Sequence, residues 1–192
     1  MKTTWIESLE HRYENTLQRM ESALRDCPDE LWEASMWKVP PLPPGKGPLP
    51  GPDGKVNDDP EVQERLLQGA SAVWAIAFHA LWFVDYDLAG GFVEWEPPAP
   101  FGKNDQAAFV VTRTWTRSEL LDYVGYCKKR AQQTLGALAE EQAATPLPST
   151  HRYAGRPFSW LLIGILLHLT EHASQIRQFI TSAADSIQGT PT

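Results

Sequence analysis

FSWLLIGILLHLTEHASQIRQF, residues 158–179, is apolar almost all round in its first half and turns polar only from His168 onward. A helix that is apolar on every side belongs at the centre of a protein, and here one is expected from about Phe158 to Ala184. A second stretch of the same kind, GASAVWAIAFHALWFV at Gly69–Val84, is the longest apolar run in the chain and carries His79 near its centre. It is shorter than the roughly 20 residues that cross a bilayer. Both stretches read as helices buried inside a protein, with no membrane as partner.

Two further helical patterns flank them. Ile6, Leu9, Tyr13, Leu17, Met20 and Leu24 recur at steps of three and four, one face of a helix. Thr4 with Glu7 has capping-box spacing at its start, and Asp26-Cys27-Pro28 ends it, because proline disfavours helical backbone at the preceding residue. Thr116 with Glu119 repeats that spacing ahead of Leu120, Val124, Cys127, Ala131, Leu135 and Leu138. This helix is expected to break at Thr145-Pro146-Leu147-Pro148. The Gly69–Val84 helix is expected to open at Asp59-Pro60, with proline at the first helical position, and to run to about Leu88 before Ala89-Gly90-Gly91.

Between these lie long irregular connections. Half of the sixteen prolines fall between Trp37 and Pro60, mixed with glycine. Such a stretch is neither helix nor central strand and is read as a crossover draped on the bundle, with an SH3-type ligand as the other reading. FVVTRTW, residues 109–115, has the composition of a short strand with nothing to pair with. The expected fold is therefore all-α, a four-helix bundle with long crossover loops, in one domain spanning residues 1–192.

Composition narrows the function. The chain has 192 residues, 42% of them hydrophobic, enough for a core without disulfide or metal staples. Seventeen Lys and Arg against twenty-four Asp and Glu leave a net charge of −7, which argues against a nucleic-acid backbone as partner. Cys27 and Cys127 stand far apart in no Cys-x-x-Cys arrangement, a pattern that suits a reducing, cytoplasmic setting. No glycine-rich phosphate loop or nucleophile elbow is present.

The histidines carry the chemistry. His168 and His172 are four residues apart, so on a helix both imidazoles reach one ion; the same spacing also arises from two polar residues at the edge of a core face. His79, embedded in the other apolar helix, supplies a third nitrogen if the two helices pack together. Three such ligands leave coordination positions open, the arrangement of a catalytic rather than a structural metal. His11 and His151 have no partner at ligand spacing and are expected at the surface. No Glu-x-x-His occurs, which removes the carboxylate di-iron alternative. A bis-histidine haem has no attachment motif behind it. Gln175, one turn beyond His172, is placed to orient a ligand, while Trp82 and Tyr86 lie on the His79 side of their helix and are candidate pocket residues.

One histidine late in the second helix, followed by His168-Leu-Thr-Glu-His172-Ala-Ser-Gln175-Ile-Arg177 on the fourth, resembles the DinB/YfiT-like superfamily. The DCPDELWEAS stretch after the first helix fits the same layout. The chain departs from many members at Ser174, where they carry Gly, at Glu171, where they carry His, and in its Pro-rich loop. The resemblance implies an up-down-down-up four-helix bundle. It also implies a divalent metal on His79, His168 and His172, zinc or nickel first and iron or manganese as alternatives.

Activity follows from the resemblance only in outline. Members include thiol-dependent S-transferases and a mycothiol-dependent isomerase, so the expected partner is a small-molecule substrate with a low-molecular-weight thiol, or water activated for hydrolysis. The competing reading is a non-catalytic bundle whose metal is structural or absent. Its eight tryptophans would then serve assembly, a homodimer included.

Overall fold

The computed structural model describes residues 3–42, 45, 47–49, 55–103, 105 and 113–188, with side chains to 185. It is all-α: helices α1 (Thr4–Asp26), α2 (Pro60–Gly69), α3 (Val73–Ala89), α4 (Arg117–Ala137), α5 (Glu140–Ala144) and α6 (Phe158–Gln188), with a single 3-10 turn at Asp29–Leu31. Isolated bridges pair Ser35 with Ala72 and Pro146 with Pro157. The strand suggested for residues 109–115 falls largely outside the described residues.

The six apolar positions that mark α1 are all buried. Its start differs in detail from the expected capping box. Thr3, not Thr4, is the cap, and its backbone carbonyl accepts from Ile6 and Glu7. Thr4 is already helical, and no side-chain cap forms. At α4 the box is made in full: Thr116 Oγ1 accepts from the Glu119 amide, and Glu119 Oε2 accepts from the Thr116 amide at 2.9 Å.

The single helix expected from Asp59 to Leu88 is two. Asp59 caps α2 through the Glu61 amide, but the helix stops at Gly69 and α3 begins at Val73. The residues between are engaged elsewhere. Met36 donates its amide to Ser71 O, Ser71 Oγ donates to Trp37 O, and the Gln68 amide group brackets the backbone of Val39. Backbone groups satisfied across the chain need no helix to satisfy them, and glycine at the break lowers the cost of leaving it.

The third expected helix also ends early, at Ala137. Leu138 turns inward and is buried, and α5 follows it. The stop at Ala89-Gly90 is as expected. Gly90 has φ +61°, and a Cβ there would lie 2.8 Å from the Phe158 ring, so glycine answers both the left-handed cap and the close approach of α6.

The four long helices pack pairwise: α1 against α4 and α6, and α3 against the same two. Trp5 donates to Glu140 at one end of the α1–α4 pair and Arg117 to the Cys27 carbonyl at the other, so these two run in opposite directions. Tyr13 OH donates to Leu162 O at 2.6 Å between α1 and α6. Between α3 and α4, Phe78 meets Trp115 and Asp85 meets Arg130, which makes these helices run the same way. Asp85 is fully buried; Arg130 Nε lies 3.1 Å from its Oδ1 and Tyr123 OH donates to its Oδ2 at 3.2 Å. Burial pushes its carboxyl up, against the pull of Arg130.

No described helix is long and apolar enough to cross a membrane. Gly125 sits inside α4, and a Cβ built there meets nothing within 4 Å. Gly125→Ala is therefore expected to raise stability by about 0.5–1 kcal/mol, read as a higher urea midpoint with an unchanged slope.

Candidate metal centre

His79 lies in the middle of α3 and His168 and His172 on successive turns of α6, where the two helices cross in contact. The helices bring the three ligand nitrogens within 4.8 Å of one another. His79 Nε2 and His172 Nε2 each lie 3.1 Å from His168 Nε2. An imidazole nitrogen has a single in-plane hydrogen or lone pair, so His168 Nε2 cannot satisfy both contacts as hydrogen bonds. Two nitrogens at about 2.0–2.1 Å from a shared ion and subtending an angle of about 100° lie about that far apart. The donor set fits a cation better than it fits itself.

Protonation points the same way. Burial, then the neighbouring His172 and His79 and finally Arg152, lower the His168 pKa to about 4. Its ring is neutral at physiological pH, with a lone pair to give. Gln175 Oε1 lies 2.8 Å from His172 Nδ1; with Nδ1–H donating, the Nε2 lone pair of His172 faces the cluster, the orienting role metal-bound histidines commonly require. His168 Nδ1 is buried without such a partner.

The cluster borders a cavity of about 430 Å³. On α3 its wall is His79, Phe83 and Asp87, one turn apart. Phe83 stands edge-on to His79 (4.9 Å between centroids) and to His168 (5.7 Å). Trp82 and Tyr86, expected in the pocket, lie one residue off this stripe. They stack on each other at 5.3 Å, and each packs edge-on against the Trp95 ring. Steps of four from His79, rather than three and seven, follow the wall.

His151 is not the surface residue its loop suggested. It is buried at 5% exposure and stacks on Tyr86. Its Nδ1 accepts from the Tyr153 amide, and its Nε2 lies 3.8 Å from Asp87 Oδ1. Burial first, then Arg152, holds its pKa down. Arg152 Nη2 donates to Asp87 Oδ2 at 2.6 Å. The signal for this cluster was present: two carboxylates, Asp85 and Asp87, at the end of an otherwise apolar helix require buried partners. The partners' positions, 65 residues on for Arg152, were not. His11 is exposed beside Asn15, as expected.

Burial raises Asp87 to about 6 despite Arg152. The folded carboxyl thus holds its proton more tightly than the unfolded one, and its contribution to stability falls as pH rises from about 4 to about 6. Wild type should lose on the order of 1–3 kcal/mol relative to Asp87→Asn across that interval, measured by urea unfolding of both proteins at each pH. A constant difference would contradict the assignment.

Comparison of the chain with family models, with curated proteins and with solved structures gives no match.

Proposed function

We propose that this chain is a metal-dependent enzyme of the DinB/YfiT-like type, with one divalent ion, zinc or nickel before iron or manganese, held by His79, His168 and His172. The observation that carries the reading is the convergence of three imidazole nitrogens from α3 and α6 at the edge of a cavity. Of these helices, α3 is buried on nearly every side, whereas α6 is half-exposed and not central all round as its sequence suggested. Helix directions support the same family layout. Taking α1 as up, contacts in which α4 runs against α1, α3 runs with α4 and α6 runs against α3 are those an up-down-down-up bundle would make.

A divalent ion bound there lowers the pKa of a coordinated thiol or water and so supplies a nucleophile near neutral pH. The residues of the chain do the rest. Gln175 fixes the ring of His172, burial keeps His168 unprotonated, and Phe83, Leu161 and Ile165 line the cavity with apolar surface that limits water. The proposed reaction is transfer of a low-molecular-weight thiol to an electrophilic small molecule, with hydrolysis as the alternative outcome.

Assembly is the competing reading, and one feature favours it. Trp160, Ile163 and Leu167 form an exposed apolar stripe on α6, a face a second copy could cover. The tryptophans as a group do not: Trp32, Trp74, Trp82, Trp95 and Trp115 are buried in the core. Elemental analysis before and after chelation, followed by a conjugation screen of thiols against electrophiles, separates the two. Protein that carries no ion and takes up neither zinc nor nickel overturns the enzymatic reading.

A further inference from the structure

The cavity has a second polar end. From His79 to Asp87 along α3 is two helical turns, about 11–12 Å, with Phe83 between them facing the same space. At the far end stands Arg152, its guanidinium carbon 4.7 Å from the centroid of Phe83, 4.9 Å from Tyr153 and 5.5 Å from Tyr86. Three aromatic faces hold the plane of the guanidinium in place. Nη2 is committed to Asp87, and among the described residues no hydrogen bond engages Nε or Nη1. Both line the cavity, but the Asp87 side chain is 2% exposed and that of Arg152 34%, so the cation is the accessible member of the pair.

We propose that Arg152 anchors the carboxylate of a small, partly aromatic substrate whose other end reaches the three-histidine cluster. A monoanion suits the site, because a dianion would face the Asp87 charge against a single guanidinium. The apolar body follows from Phe83 between the two ends and from Trp160 and Tyr153, which line the same cavity, meet edge to face at 5.1 Å and are each at least 40% exposed. Aromatic surface left open at a cavity mouth is what a flat ligand covers. Arginine already fixed in position loses little freedom when it binds. The inference rests on the metal-dependent reading for the role of the far end, and on Arg152 alone for the anion.

The experiment is calorimetric titration of 4-phenylbutyrate and of its uncharged amide into metal-free and zinc-loaded protein. Wild type is expected to bind the carboxylate at least ten-fold more tightly than the amide. Arg152→Gln should abolish that preference, and Arg152→Lys should restore only part of it, since an ammonium keeps the charge but not the planar guanidinium that the three rings hold in place. If Arg152→Gln fails to fold with Asp87 unpaired, the double variant Asp87→Asn/Arg152→Gln removes both charges and should show the same loss. Gly164 lines the cavity and a Cβ there meets nothing within 4 Å; Gly164→Leu should weaken both probes equally. Equal binding of both probes by wild type, or a preference that survives removal of Arg152, overturns the proposal. A preference kept in a protein that takes up no metal leaves the anchor standing and sinks the metal reading. Zinc uptake with no preference does the reverse.

Discussion

If the proposed centre holds zinc, alanine at His79 is expected to lower the affinity as severely as alanine at His168 or His172, on the order of 100-fold or more in each single variant. The expectation is geometric. His168 and His172 alone form a clip that any exposed helix could present. His79 comes from α3, and its Nε2 lies as close to His168 Nε2 as that of His172 does, 3.1 Å in both pairs. In the proposed centre each removal would therefore delete one of three bonds and leave water in its place. Gln175→Ala acts through the ring of His172 and should cost about 10–100-fold. Competition titrations with a chromophoric chelator, run on all variants under one set of conditions, measure this directly. A His79→Ala protein that binds zinc like the parent would show that α3 contributes no ligand, and the proposed centre would reduce to two residues of one helix.

What could be read from the sequence divides along physical lines. Helix cores and chemically marked ends were legible because they are local: the α1 stripe, the Thr116–Glu119 box and the Gly90 stop each depend on residues within a turn or two. The histidine triad was legible because His168 and His172 share a face by spacing and His79 stands out in an apolar helix. The break between α2 and α3 was not, because it is set by hydrogen bonds from residues 35–39, which periodicity cannot report. His151 failed for the same reason. Its burial depends on Asp87 and Tyr86, 64 and 65 positions away. Asp87 and Phe83 were missed in the cavity because the wall of α3 follows steps of four, and nothing in a helix that is buried on nearly every side tells which stripe faces a ligand.

Removing the partner of the other buried carboxylate is expected to have the largest effect on stability. Arg130→Met keeps most of the aliphatic stem and deletes the guanidinium 3.1 Å from Asp85, whose side chain has no exposure. Breaking a buried pair from one side leaves an uncompensated charge and typically costs about 3–5 kcal/mol. The loss should depend on pH, and the sign follows from linkage. Burial already raises Asp85, and Arg130 is the strongest influence holding it down; without that cation the folded pKa rises further. A carboxyl whose folded pKa exceeds its unfolded value favours the native state where it is protonated and loses that advantage as pH climbs through the folded value. The difference between wild type and Arg130→Met should therefore be largest at neutral pH and shrink toward pH 4. Asp85→Asn in the same background should recover most of it, because a neutral amide can still accept from Tyr123 OH without requiring a counter-ion. Urea unfolding of the wild type, the single variant and the double variant at several pH values reads all three expectations. A cost below about 1 kcal/mol at neutral pH, well short of the range for a broken buried pair, would show that water reaches Asp85. A cost independent of pH would mean instead that Arg130 acts through packing and its contact with Tyr126, with the α3–α4 seam held by apolar contact alone.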